Sequence, residues 1–140
     1  MSSQRLSRKK NQQADSPCIL IVEDDTAIGE LLTLALAYET HYQPRLVGSG
    51  QEALRAVEAV HPILFVLNYQ LPDMTGIEVY DRLHARSQFV TTPAIVISAN
   101  VPQDELRKRQ LVDVAKPFDM DTLLSTIERV LAPSSEGGYR

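Results

Sequence analysis

The chain contains a single cysteine, Cys18, so no internal disulfide can form and a cysteine-based zinc site is excluded. Cys18 opens an apolar run, CILIV, where a small buried thiol packs well, and no cationic neighbour in sequence would activate it. No apolar stretch approaches the roughly 20 residues that a membrane-spanning helix needs. The opening residues, MSSQRLSRKKNQQADS, are basic but have no apolar run behind them, so they do not read as a secretory signal. A cytoplasmic location and no membrane contact are the expectations. Phosphate-binding glycine loops are missing, since nothing matches G-x-G-x-x-G or a Walker A sequence. Nor does the order of elements bring together a Ser-His-Asp or Cys-His set. His41, His61 and His84 are expected as isolated side chains on loops and helix surfaces.

Positive charge is scarce outside the first residues. Residues 1–16 hold four basic side chains against one acidic, for +3, which leaves −7 on residues 17–140 out of a total of −4. An acidic body argues against nucleic-acid binding by the domain itself. The polar residues 1–16 read as a weakly ordered basic arm and 133–140 as a flexible tail, with one domain between them at 17–132.

Within 17–132 short apolar runs alternate with amphipathic segments. Strands are predicted at Cys18–Val22, Arg45–Val47, Ile63–Leu67, Ala94–Ile97 and Leu111–Ala115. Asp25 is a candidate N-cap for a helix that buries Ile28, Leu31, Leu32, Ala35 and Leu36. A second helix follows Gly50 with Ala53, Leu54, Val57 and Val60 in register, and a third starts near Gly76 with Ile77, Tyr80 and Leu83 inward. A short charged helix fits Asp104–Arg109. The last, Asp119–Leu131, has an unbroken stripe of Met120, Leu123, Leu124, Ile127, Val130 and Leu131. Strands that are apolar throughout need cover on both faces, which the intervening helices supply. Five βα units with right-handed crossovers make an α/β, doubly wound, five-stranded parallel sheet. Ligands gather beyond the carboxyl ends of such strands.

Those ends carry Glu23, Asp24 and Asp25 after the first strand, Asn68 after the third, Ser98 after the fourth and Lys116 after the fifth. Strand alternation is expected to send Glu23 and Asp24 to different sides. Helix capping accounts for Asp25, and adjacent acids at the end of a buried strand otherwise only repel one another. A carboxylate pair with waters suits magnesium.

The ordered motifs ILIVEDD, Gly50-Gln51-Glu52-Ala53-Leu54, LPDMTGIEV at 71–79, VIS at 96–98 and KPFD at 116–119 resemble those of bacterial response-regulator receiver domains of the CheY-like type, over about residues 17–132. The resemblance implies a flavodoxin-like (βα)5 fold with strand order 2-1-3-4-5. It also implies a signalling role in a two-component system, not an enzyme. It gives Glu23, Asp24 and the backbone carbonyl of Gln70 to a magnesium site. Ser98 becomes the switch hydroxyl and Lys116 the lysine that neutralises a phosphoryl group, with a cis bond to Pro117. A histidine kinase or downstream signalling protein is the implied partner, and a homodimer through the face of the fourth helix, fifth strand and fifth helix is an implied assembly.

Counting four residues back from Pro72 puts Asn68 where the family has its phosphoacceptor aspartate. An amide lacks the nucleophilic oxygen that attacks phosphorus, so phosphorylation there is not expected. Asn68 is also a poorer metal ligand than a carboxylate, so magnesium should bind weakly or not at all. Its NH2 group could instead donate to Glu23 or Asp24 and relieve their repulsion without metal. Asp113 occupies the position of the family's aromatic switch residue, and the segment from Ser98 to Lys116 is shorter than usual by about one helical turn. The sequence therefore reads as a pseudo-receiver acting through protein contacts, with no output domain expected after Leu131. The alternative is an ordinary single-domain receiver bearing an introduced Asp-to-Asn change at 68. A magnesium-dependent phosphohydrolase with Asp24 as nucleophile is the remote alternative, lacking the usual D-x-D pair.

Overall fold

All five residues of β3 (Leu64–Asn68) and of β4 (Ala94–Ser98) are buried, as they must be in strands covered on both faces. The structure, a computed structural model, describes residues 16–133. Three further strands, β1 (Cys18–Val22), β2 (Gln43–Val47) and β5 (Val112–Ala115), complete a parallel sheet in the order β2-β1-β3-β4-β5. The helices between them are α1 (Thr26–Glu39), α2 (Gly50–Ala56), α3 (Gly76–His84), α4 (Gln103–Arg109) and α5 (Met120–Leu131), with one 3-10 turn at Ser87–Phe89. This is the expected flavodoxin-like arrangement. Apart from Ser16, the expected basic arm lies outside the described residues, as does the expected tail beyond Pro133.

Side-chain alternation divides the core. Ile19, Ile21, Leu64, Val66, Ile95 and Ile97 face α1 and α5, meeting Leu32, Leu36, Leu123 and Ile127. Leu20, Val22, Phe65 and Leu67 face the other way onto Ala53, Val57, Val79 and Leu83 of the α2–α3 layer. That layer continues beneath α4 through Ile77, Val96, Val101 and Leu106. Burying each such side chain contributes about 1.5–3 kcal/mol, so this two-sided core fixes the strand ends in space. Helix starts are set by side-chain oxygens. Asp25 accepts from the Ile28 N–H at 3.1 Å, Ser49 from Glu52 at 3.1 Å and Asp119 from Thr122 at 2.7 Å. Thr75 and Glu78 form a reciprocal capping box on α3.

Several boundaries differ from the sequence reading. Strand β2 begins at Gln43, two residues early, and includes Pro44. It is an edge strand: the Gln43 N–H bonds the Pro17 carbonyl, so the missing donor at the next residue faces away from β1. Strands β3 and β4 run one residue further than expected, to Asn68 and Ser98, while β3 and β5 each begin one residue later. Helix α2 ends at Ala56, leaving Val60 beyond it. In α3 Val79 is fully buried along with Leu83. Tyr80 is half-buried and stacks on His84 with ring centroids 3.9 Å apart. His84 is therefore no isolated surface residue, and its Nε2 also lies 2.7 Å from the Thr92 carbonyl oxygen. On α1, Leu31 is 58% exposed, against the expectation that it is core. Cys18 is half-buried, and burial pushes its thiol pKa up.

Candidate functional site

The carboxyl ends of β1, β3, β4 and β5 converge on a cavity of about 330 Å3 lined by Glu23, Asp24, Asp25, Asn68, Gln70, Ser98 and Lys116, together with Ile28, Ala99 and Asn100. The seven polar residues singled out in sequence thus come together. Register explains it: Leu67 pairs with Val22 and Val96, so Glu23 and Asn68, one residue on, and Ser98, two residues on, reach the same rim. The Lys116 N–H bonds the Ser98 carbonyl, and the bond from Lys116 to Pro117 is cis.

Asn68 is the hub. Its Nδ2 donates to Gln70 O at 2.8 Å, to Asp24 Oδ1 at 3.0 Å and to Glu23 Oε2 at 3.2 Å. Two hydrogens serve three acceptors, one of them shared. On the other side, Asn68 Oδ1 accepts from Lys116 Nζ at 2.9 Å. The amide cannot be reversed without setting its oxygen against three oxygens and its NH2 against an ammonium, so chemistry fixes its orientation. Glu23 and Asp24 do not go to separate sides as expected. The chain leaves the sheet after Val22, and both carboxylates turn to the same amide.

Glu23 is buried at 4% exposure. Its Oε2 accepts the Asp25 N–H at 3.1 Å, whereas its Oε1 has no hydrogen-bond partner and lies 3.6 Å from Lys116 Nζ. Burial pushes its pKa up, partly offset by that backbone N–H and by Lys116, while Asp24 and Asp25 push it further up. Ser98 is buried, and its Oγ accepts the Asn100 N–H at 3.0 Å, closing the loop after β4 upon itself.

Two supports escaped the sequence reading. Asp73, in the LPDM stretch, accepts the Gly50 N–H through Oδ1 and the Gln51 N–H through Oδ2, both at 2.9 Å. Those two backbone bonds hold its pKa below the ordinary range. The carboxylate caps α2 from across the chain, fastening the loop that carries Gln70. Gly76 allows the start of α3 to sit against β3, since a Cβ there would lie 2.5 Å from the Asn68 carbonyl oxygen. The signal for Asp73 was an acid between Pro72 and Met74 with no cap of its own to make. Asn100, two residues past Ser98, gave none.

Comparison with known proteins agrees with this geometry. A family model described as the response regulator receiver domain matches residues 19–128. The chain belongs to the response-regulator receiver family. It is 31% identical over 124 residues to the transcriptional regulatory protein TrcR of Mycobacterium tuberculosis, a match spanning 84% of this chain and 46% of that protein. It is also 31% identical over 120 residues to the regulatory protein AtoC of Escherichia coli, spanning 81% of this chain and 25% of that one. The chain thus spans less than half the length of these curated relatives. Among solved structures, the chemotaxis response regulator CheY4 of Vibrio cholerae superposes with a TM-score of 0.77 at 25% identity, covering 83% of this chain and 99% of that chain. The signal receiver domain of a histidine kinase from Syntrophus aciditrophicus does so with a TM-score of 0.73 at 28% identity, covering 84% of this chain and 91% of that one.

Receiver domains typically bind magnesium at the phosphorylation site, and the donors of this receiver do not fit the ion as arranged. Glu23, Asp24 and the Gln70 carbonyl are suitable oxygens, but all three point at the Asn68 NH2. Turning Asn68 Oδ1 toward a cation would abandon Lys116. Among the described residues no group of three or more His, Cys, Asp or Glu side chains is placed to hold a metal ion.

Proposed function

We propose that this receiver signals without being phosphorylated, as a pseudo-receiver whose output is the contact it makes with another signalling protein. The observation that carries this is the saturated amide of Asn68, which engages both carboxylates, the Gln70 carbonyl and Lys116 at once. An amide at this place offers no oxygen nucleophile, and its NH2 performs the charge-balancing task that a cation performs between carboxylates. In this reading residues 17–132 are the receiver unit, Asn68 holds the phosphoacceptor position, and Glu23, Asp24 and Gln70 are a metal set of weak or no affinity. Ser98 and Lys116 are what is left of the phosphoryl pocket. The domain acts in the cytoplasm, and a histidine kinase or a downstream signalling protein is its partner.

Two features of the output side support the same reading. Helix α4 has only seven residues, and Arg109 at its end is clamped by Asp81 of α3, with Nε–Oδ1 at 2.7 Å and Nη2–Oδ2 at 2.8 Å. Asp113 sits midway along β5, opposite Val96, where no ring is available to swing. The test is incubation of the full chain with acetyl phosphate and magnesium, followed by intact mass measurement beside Asn68→Asp. No phosphoryl group should appear on the unaltered chain, and the variant should acquire one. A phosphoryl group on the unaltered chain would sink the reading.

A further inference from the structure

We infer that the basic segment Arg5–Lys10 of this chain docks across the mouth of the Asn68 cavity, with Arg5 and Arg8 over Asp24 and Asp25. The cavity sets three carboxylates, Glu23, Asp24 and Asp25, against one ammonium, and Lys116 already donates to Asn68 Oδ1. Asp24 and Asp25 are exposed. One oxygen of each is engaged, by the Asn68 NH2 and by the Ile28 N–H, and the second meets no donor among the described residues. Glu23 Oε1 has no hydrogen-bond partner either, on a side chain 2% exposed, and it is the one such buried side-chain atom among the described residues. An orphaned acceptor in an acidic cavity calls for a donor that also carries positive charge. Magnesium does not serve, because its donor set is turned to the Asn68 NH2. A guanidinium does. It is planar, always charged, more weakly hydrated than an ammonium and furnished with five N–H donors, enough for both exposed carboxylates and for Oε1.

The chain's own segment is the occupant that charge and reach favour. Each helix follows the carboxyl end of a strand, and the first turns of α2 to α5 hold Glu52, Glu78, Asp104, Glu105 and Asp121 with no basic residue. Basic side chains stand in the last turns instead, Arg55, Arg82, Arg107 and Arg129 among them. Each placement suits its own helix dipole, and together they make one end of the sheet acidic and the other basic. Ser16 joins β1 at the basic end, beside Arg45 and His61. Residues 1–16 carry +3, so they are repelled where they are rooted and drawn to the far end. The tether is long enough. Strand β1 rises about 17 Å. Arg8 and Arg5 stand eight and eleven residues before Ser16, about 26 and 36 Å of extended chain, enough to round a helix about 10 Å across. Such a tether holds the arginines at an effective concentration on the order of 1 mM, so a merely millimolar intrinsic affinity covers the mouth about half of the time.

This self-contact rests on the charge of the mouth and not on the phosphorylation reading, so phosphate incorporation from acetyl phosphate would leave it standing. The test places a nitroxide on Ser7→Cys of the full chain in a Cys18→Ser background and reads nitrogen-15 correlation spectra. The amide signals of Asp24, Asp25 and Ala99 and the Asn68 NH2 pair should lose more intensity than those of Gln43 and His61, which lie nearer the root of the segment. Going from about 0.1 M to about 1 M salt shortens the screening length from about 10 to about 3 Å and should restore the signals at the mouth. The double substitution D24N/D25N keeps a capping side chain on α1 and should lower the docking constant about fivefold, the size expected for two exposed ion pairs. Reversing the charges in R5E/R8E should abolish docking with the folded spectrum otherwise unchanged. Nitroxide-bearing chain mixed with unlabelled nitrogen-15 chain should broaden nothing at the mouth. Broadening that is greatest at the root overturns the proposal, as does broadening at the mouth that D24N/D25N leaves unchanged. Broadening of the mouth in the mixed sample assigns the segment to a second copy and overturns the contact within one chain.

Discussion

Replacing Asn68 by Asp changes one NH2 for one oxygen at constant volume, so no cavity or clash obscures the electrostatic result. In the native chain that NH2 makes three favourable contacts, at 2.8, 3.0 and 3.2 Å from Gln70 O, Asp24 Oδ1 and Glu23 Oε2. In the variant all three become repulsive. Carboxylates whose charge centres are about 4 Å apart repel by about 4 kcal/mol each at an effective dielectric constant of about 20. The new carboxylate recovers one such interaction from Lys116, and solvent at exposed Asp24 screens another. The net expectation is a loss of about 3 kcal/mol of stability in EDTA. Urea unfolding followed by circular dichroism measures it. Magnesium at about 10 mM should leave the native midpoint unmoved but return about 2 kcal/mol to the variant, if its dissociation constant is on the order of 0.5 mM. A variant as stable as the native chain in EDTA, or a native chain stabilised as much by magnesium, would refute the account of Asn68 as a built-in counter-charge.

Lys116→Met leaves Asn68 Oδ1 without its donor and Glu23 Oε1 without its nearest cation. The expected cost is about 2 kcal/mol in the same urea assay, and a cost near zero would mean that the lysine is not engaged. Asp73→Ala removes the side-chain cap on Gly50 and Gln51 and should cost about 1 kcal/mol. Because folding holds the Asp73 pKa below its ordinary range, its contribution is full above about pH 4 and fades as the pH falls through the depressed value. The difference between native and Asp73→Ala stability should therefore shrink only on acidification, and a difference that grows toward low pH would contradict the cap.

The fold was legible because the buried strands consist of unbroken apolar residues and the helices of periodic ones; Ile19–Val22 and Leu123–Ile127 announce themselves. The site was legible through residues that a core does not ask for, such as Glu23 in a buried position. What sequence misplaced were side chains whose surroundings depend on tertiary contacts. Glu23 and Asp24 meet at one amide because the chain turns after Val22, which strand alternation does not foresee. Leu31 matches core periodicity as well as Leu32 does, and only the packed sheet shows which of them is inside. Asp73 serves a helix that starts more than twenty positions earlier, a relation that local capping rules do not reach.

The two-ended grip of Asn68 also gives the molecule a spectroscopic handle. A carboxylate at this place carries no proton to observe, whereas the Asn68 NH2 supplies two, both engaged with acceptors in a largely buried setting. They should appear as a widely split pair in a nitrogen-15 correlation spectrum, slow to exchange with deuterium. Anything that enters this corner of the molecule, whether an ion, a phosphate mimic or a loop shifted by a distant contact, must disturb that pair. The same residue thereby lets the occupancy of this corner be read directly, without an attached probe.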